Sequence, residues 1–305
     1  MKRTCGGLAL LFLLLTTGCR EATVWRGQGA GAFLEFDSEL RPEEAEQVNA
    51  AVACIENRDV RGERVRWFEE IFGGTDADAL HRFLSERVSY LLSDATDIES
   101  RVRVNAEPIR FQRPQFFSSR EDDESGRGAT NLSALWYLQK AIEPERLQFE
   151  INNRLIPVDS TRVGIVQLGP AFLRVPPAIQ AGVLLHEGRH SDCTGGIWQS
   201  DIDRVRRGES PEGVSCGHFH VLCPAGHDYA GIYACDAEPW GAYSVNFIYW
   251  AALARACTDC SDEERALTEA AALDSALRLL LDVDAMLRGD LGRPDMGSST
   301  EVVPR

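Results

Sequence analysis

The stretch Gly182-Val183-Leu184-Leu185-His186-Glu187-Gly188-Arg189-His190 closes an apolar run with the pattern H-E-x-x-H. Pro176-Pro177 marks a helix start ahead of it, because proline suits the first turn of a helix. On a helix, His186 and His190 project from one face. Two imidazoles placed in this way can reach one Zn²⁺ ion at ~2.0–2.1 Å. Glu187 lies beside them, where it can take a proton from water. The pattern therefore predicts a metal site with an acid–base residue.

The segment before this helix supports a family resemblance. His186-Glu187-x-x-His190 resembles the signature of the zincin metallopeptidases. The sequence of residues 163–172 predicts a strand and a turn that lead into the helix. This order is similar to the edge strand and active-site helix of zincins, in particular those of the deuterolysin-like and gluzincin-like branches. The resemblance covers about residues 163 to 250, and the extended metzincin pattern is absent. It implies Zn²⁺ as cofactor and a peptide or protein as substrate.

A catalytic zinc needs a third protein ligand and an open position. The sequence offers Asp236, which lies seven residues before Tyr243 on one helix face, and we rank it first. Asp228 lies in the segment Gly226–Gly231. This segment resembles a shortened form of the aspzincin segment that supplies an Asp ligand, although the spacing differs. Glu238 is the gluzincin-like choice, an acid at the start of a downstream helix. For Asp236 the alternative role is a helix N-cap.

Tyr243 is predicted to be catalytic, as a hydrogen-bond donor to a developing oxyanion, with plain core packing as the alternative. Asp192 could orient a ligand histidine. The run Cys216-x-His218-x-His220-x-x-Cys223 is a second metal-binding pattern, for which disulfides with pocket histidines are the preferred interpretation in an oxidising compartment. Residues that compete with Tyr243 for the oxyanion role are His220, His227, Tyr229 and Tyr233.

The N-terminus predicts export. Met1-Lys2-Arg3 precedes a short apolar run at 8–15, as in a signal peptide. Thr16-Thr17-Gly18-Cys19 then resembles a bacterial lipobox, with Cys19 as the lipidated residue and an ordinary cleaved signal as the alternative. We expect a lipid anchor as the only membrane attachment. The expected location is the bacterial cell envelope, in the outer membrane facing the periplasm or the outside.

The cysteine content and the net charge agree with the predicted export. In an exported protein, seven cysteines after Cys19 indicate disulfides. We expect the pairs Cys223–Cys235 and Cys193–Cys216, a local pair Cys257–Cys260, and a buried thiol at Cys54. The formal net charge of −15 argues against nucleic acid as a partner.

The chain order predicts an α+β fold, mostly helical, with a small sheet preceding the active-site helix, as in zincins. Helices are predicted from Pro42 to Cys54, from near Thr75 through Leu92, at 132–142, at 237–256 and from the capping box Ser261-x-x-Glu264 to about Arg288. Strands are predicted at 32–36, in a hairpin over 147–158, and at 163–168. The predicted regions are a signal peptide (1–18), a tether (19–40), a helical region (41–145), a zincin-like catalytic region (146–290) and a flexible tail (291–305).

The sequence leaves three functions open. The first is a zinc metallopeptidase in which His186, His190 and a downstream carboxylate hold the metal and Glu187 acts as general base. The second is a non-catalytic envelope lipoprotein that binds or scaffolds with the same fold. The third is an amidase acting on cell-wall peptides, which shares the metal chemistry.

Overall fold

A computed structural model of the chain describes most of the predicted core. The predicted signal peptide, Cys19, the helix at 132–142 and the tail at 291–305 lie outside the described residues. The structure describes residues 24–26, 33–37, 40–57, 68, 71–72, 74, 77–85, 87–93, 98–104, 106–108, 129–131, 148–156, 164–190, 220–237 and 241–283.

The main sheet has five strands in the order β1-β2-β3-β9-β6. Strands β2 (Phe33–Phe36), β3 (Val88–Leu92) and β9 (Gly164–Leu168) run parallel at its centre. Strands β1 (Val24–Arg26) and β6 (Ala129–Asn131) pair antiparallel at the two edges. Strand β9, which leads to the H-E-x-x-H helix, is therefore an internal strand; the expectation of an edge strand there is wrong.

A second, antiparallel sheet has the order β5-β4-β7-β8. Its strands are β4 (Val102–Val104), β5 (Glu107–Pro108), β7 (Phe149–Ile151) and β8 (Arg154–Ile156). Strands β7 and β8 form the predicted hairpin. Asn152 and Asn153 turn the chain with φ of 52° and 60°, as a tight two-residue hairpin requires. The stretch predicted as helical, 41–145, thus contributes strands to both sheets.

Helix α4 (Pro177–His190), which carries the H-E-x-x-H pattern, is surrounded by other elements. It begins at the predicted proline, after β9 and a 3-10 turn at Phe172–Arg174. Helices α1 (Pro42–Asn57) and α2 (Ala77–Ser85) pack against it. So do α5 (Ala242–Ala256) and α6 (Asp262–Leu277), whereas α3 (Ile98–Arg101) lies beside β4. Nine residues of α4 are buried, so the helix is fixed by the core on several faces.

Three predicted helices differ from the structure. The helix predicted from Thr75 to Leu92 ends at Ser85, and Val88–Leu92 is β3. All five residues of β3 are buried, as in a central parallel strand, so the apolar run has no period-two signature. Helix α5 begins at Ala242 rather than 237, and α6 ends at Leu277 rather than Arg288. The residues after α6 instead pair with Asp236 through Leu279. The described helices include no segment with the length and hydropathy of a membrane span.

Helices α4 and α5 approach closely at Gly182. The indole N–H of Trp250 donates to the carbonyl of Ala178 at 3.0 Å, and the ring covers the next turn of α4. A Cβ added to Gly182 would lie 2.3 Å from the Trp250 ring. At Gly188, by contrast, an added Cβ would meet Phe83 at an ordinary 3.5 Å. The close helix contact is therefore made at Gly182 and not at Gly188.

Gly182→Ala is expected to destabilise the protein by about 1–3 kcal/mol, because the added methyl group overpacks the contact with Trp250. Gly188→Ala is the matched control. It should be neutral or stabilise by up to ~1 kcal/mol, since alanine is the better helix former and has room. Urea unfolding of both variants measures the difference. Equal stability of the two variants would contradict this account of the helix contact.

Candidate metal centre

Three histidines meet at the C-terminal end of α4. Nε2 of His186 lies 3.1 Å from Nε2 of His190 and 3.2 Å from Nε2 of His220. His186 and His190 come from successive turns of α4. His220 comes from the residue before β10 (Val221–Leu222). Ligand nitrogens of all three lie within 4.8 Å of one another, so the group could hold a metal ion.

The donor set fits a divalent ion such as Zn²⁺. Tetrahedral ligands at ~2.0–2.1 Å lie ~3.3 Å apart, close to the two Nε2 separations. Metal binding also requires neutral imidazoles. Burial lowers the pKa of His186 well below its usual value, and the neighbouring His190, His220 and Arg278 add to this effect. His186 is therefore neutral, with a lone pair available, near pH 7.

His220 is oriented by Asp236. Its Nδ1–H donates to Oδ1 of Asp236 at 2.8 Å, which directs Nε2 toward His186. The pairing follows from the strand register: Val221 of β10 pairs with Cys235 of β11 (Tyr233–Cys235), so the preceding His220 faces Asp236. A carboxylate behind a ligand histidine fixes its tautomer and its ring orientation. Asp236 thus lies behind the histidine cluster.

Asp236 is itself held from two sides. Its Oδ2 accepts a hydrogen bond from the backbone N–H of Tyr243 at 2.6 Å, in the first turn of α5. Its backbone N–H donates to the carbonyl of Arg278, and its carbonyl accepts from Leu280, both at 2.9 Å. A Cβ on Gly241 would lie 2.1 Å from Oδ2 of Asp236, so this carboxylate needs glycine there. The start of α5 and the residues after α6 therefore fix the carboxylate that orients His220.

Asn246 of α5 contacts the other nitrogen of His186. Its amide nitrogen lies 3.1 Å from Nδ1 of His186, while its Oδ1 is buried and has no hydrogen-bond partner among the described residues. The two ends of an amide are assigned from such networks. A 180° rotation would let the orphaned Oδ1 accept from Nδ1–H. The lone pair of His186 Nε2 would then face the histidine cluster, as a metal ligand requires.

A disulfide joins the segments of β10 and β11, next to His220 and Asp236. Cys223 and Cys235 are bonded, as predicted, with His220 three residues before one and Asp236 directly after the other. The predicted pair Cys257–Cys260 is also formed, between the end of α5 and the start of α6, and Cys54 is buried and outside both disulfides. Thiols of the two bonded pairs are not available as metal ligands. Cys193 and Cys216 lie outside the described residues.

Tyr243 packs directly on the histidines. Its ring stacks on His220 at 4.4 Å between centroids and meets His186 edge-on at 4.9 Å. Burial raises the pKa of Tyr243 to about 12, against the opposing charge of Arg278. The phenol therefore keeps its proton near neutral pH. Glu187 is 6% exposed, and its charge also acts on Tyr243.

Among the described residues, the other predicted site residues are not part of the histidine group. Asp228 is exposed. His227 donates from Nε2 to the carbonyl of Leu277 at 2.6 Å, and Tyr229 donates to Asp274 at 2.5 Å. Tyr233 lies in β11. Residues Asp192, His218 and Glu238 lie outside the described part of the chain. The structure thus brings together His186, His190 and Tyr243 of the predicted set, with Asp236 behind them.

Three residues acquire a role that the sequence did not assign. His220 joins the histidine cluster, although its sequence neighbourhood indicated an oxyanion or pocket role. Asn246 contacts His186, and Arg278 donates to Tyr243. Asn246 is a buried polar residue in a mostly apolar helix, a signal that could have singled it out. Arg278 is the first residue after α6, which ends at Leu277 and not at the predicted Arg288.

The metal-free protein is expected to lose stability as the pH falls. An unfolded His186 protonates near pH ~6.5, whereas its folded pKa is lowered, so below this pH the unfolded chain binds more protons. The free energy of unfolding should therefore decrease as the pH falls from 7.5 to 5.5. Urea unfolding of chelator-treated protein measures this, and His186→Gln should show a weaker pH dependence. Equal slopes for the two proteins would contradict the assignment.

The chain was also compared with known proteins. No protein-family model, curated protein or solved structure matches it.

Proposed function

We propose that the chain is a zinc-dependent metallopeptidase of the cell envelope. His186, His190 and His220 would hold the ion, and Glu187 would act as general base. The observation that carries the proposal is that Nε2 of His220 lies 3.2 Å from Nε2 of His186, which is itself 3.1 Å from Nε2 of His190 in the H-E-x-x-H helix. His220 replaces Asp236 in the proposed ligand set, because Asp236 already accepts from His220 and Tyr243.

The chain's own residues supply the rest of the chemistry. Bound zinc would provide a Lewis acid that polarises the scissile carbonyl. Glu187 takes a proton from the attacking water, whose oxygen bonds to the carbonyl carbon. Glu187 then passes that proton to the amine that leaves as the C–N bond breaks. Tyr243 donates a hydrogen bond to the oxygen that gains negative charge, and Asp236 and Asn246 orient the ligand rings.

The fold is compatible with a zincin-like arrangement. A parallel strand, β9, runs through a short 3-10 turn into α4, which carries the metal-binding pattern. Helix α5 packs against α4 and brings Tyr243 and Asn246 to the C-terminal end of α4. This order of sheet, active-site helix and downstream helix supports the family proposal.

Metal analysis and a cleavage assay test the proposal. The purified protein is expected to contain one zinc per chain and to cleave members of a peptide library. Chelator should abolish cleavage, and added zinc should restore it. Zinc without turnover on any peptide would support the non-catalytic alternative. Chelator-sensitive cleavage of cell-wall peptides alone would support the amidase.

Export and lipid anchoring belong to the same proposal. The two disulfides of the described residues suit an oxidising compartment. We expect Cys19 to be lipidated and the protein to sediment with cell membranes. Cys19→Ala should release it into the soluble exported fraction. Membrane association of that variant equal to the parent would overturn the lipid anchor.

A further inference from the structure

Arg278 lies beside the metal centre although the chemistry above does not use it. Its guanidinium carbon is 3.8 Å from the ring centroid of Tyr229 and 4.8 Å from that of Tyr243. Its Nε donates to Oδ2 of Asp274 at 3.1 Å, and the side chain is 17% exposed. An arginine with its plane fixed by two rings and a carboxylate has little freedom to turn.

The fixed guanidinium points at one atom of the site. Its Nη1 donates to the hydroxyl oxygen of Tyr243 at 3.2 Å. A phenol oxygen that accepts a hydrogen bond still has its own proton to donate. The Tyr243 ring is restricted by its stacking on His220 and its edge-on contact with His186. Because Arg278 occupies one side of the Tyr243 oxygen, the hydroxyl proton must point to another side, where it can be donated.

We propose that Arg278 is a positioning residue, which holds the Tyr243 hydroxyl so that its proton serves as a donor inside the metal site. The inference rests on the proposed function, since it assigns a task to Tyr243 there. A donor that accepts from a cation also donates more strongly, because hydrogen bonds in a chain polarise one another. Arg278 would therefore improve both the direction and the strength of the Tyr243 hydrogen bond.

The backbone of Arg278 links this role to the rest of the centre. Its carbonyl accepts from the N–H of Asp236, the residue that orients His220. The end of α6 therefore positions a ligand histidine through its main chain and Tyr243 through a side chain. A substitution at 278 leaves the main-chain contact available. The two contributions can be separated by experiment.

A double-mutant cycle tests the proposal with Tyr243→Phe, Arg278→Gln and the double variant. The probe is acetohydroxamate, a zinc-binding anion, with its affinity for the zinc-loaded protein measured by calorimetry. This readout does not require turnover. The kcat and KM for a substrate from the peptide library are measured in parallel. Arg255→Gln is the control, because Arg255 is exposed on α5.

Both single variants should bind acetohydroxamate about tenfold more weakly, as expected for loss of a hydrogen bond to a charged group. The double variant should match Tyr243→Phe within about twofold, because Arg278 acts through the lost hydroxyl. The kcat should fall in the same pattern, with little change in KM. Arg278→Lys, which keeps the charge, should recover part of the affinity, and Arg255→Gln should match the parent.

Other outcomes overturn the proposal. If Arg278→Gln weakens binding equally in the Tyr243→Phe background, Arg278 acts by another route. If Tyr243→Phe alone weakens binding, Arg278 has no positioning role. Should Arg278→Gln fail to fold by circular dichroism, the same comparison is made with Arg278→Lys. A protein that binds no zinc overturns the proposed function as well, whereas zinc binding with additive effects overturns only this inference.

Discussion

Replacing Glu187 with Gln is expected to leave zinc bound and to slow peptide hydrolysis by about 10²–10⁴-fold. The substitution keeps the size of the side chain and removes only its ability to accept a proton. Two of the proposed ligand histidines have their own contacts, His220 with Asp236 and His186 with Asn246, so they should stay in place. The zinc content and kcat/KM of the variant measure the two effects separately.

Glu269→Gln is the matched control for that prediction. Glu269 is exposed on α6 and is not in the histidine group, so its loss should change neither zinc content nor rate. Hydrolysis at the parental rate by Glu187→Gln would remove Glu187 from the mechanism. Loss of zinc in the same variant would instead show that Glu187 helps to hold the metal.

Removal of His220 is expected to have the largest effect on metal binding. His220→Ala should weaken zinc binding by more than ~100-fold, because it removes one of the three proposed ligands. Asp236→Asn should weaken it by only about 10–100-fold, as is usual for a residue that orients a ligand. His227→Ala should bind zinc as the parent does, since His227 contacts Leu277 instead. Competition with a chelator of known affinity ranks the four proteins.

The same measurements decide between His220 and Asp236 as third ligand. If Asp236→Asn lost zinc completely while His220→Ala retained it, the carboxylate predicted from the sequence would be the ligand. The folded position of Asp236 argues otherwise. Both of its carboxylate oxygens already accept hydrogen bonds from protein groups.

Local signals in the sequence predicted many of the elements near the site. Pro177 and the apolar run after it define α4, and the capping box at Ser261 starts α6 as expected. The pair Asn152-Asn153 identifies the hairpin. Strand β3 was missed because a strand buried on both faces shows no alternation, and its apolar residues also fit a helical stripe. Period alone does not separate these two cases.

The third histidine could not be found from spacing. His186 and His190 are fixed relative to each other by one helical turn, whereas 29 residues separate His190 from His220. The position of His220 depends on how β10 pairs with β11 and on where α6 ends. The sequence predicted Asp236 as a third ligand, whereas in the structure its oxygens accept hydrogen bonds from His220 and Tyr243. Such neighbours come from distant parts of the chain.

In the proposed function, the bond between Cys223 and Cys235 would give the protein a maturation step. Until it forms, a newly made chain has two imidazoles preset by α4, while the third sits on a segment without its covalent tie to Asp236. Metal loading should therefore lag behind oxidation of this cysteine pair. The protein would stay latent wherever thiols are kept reduced, and would acquire its ion only after reaching an oxidising environment.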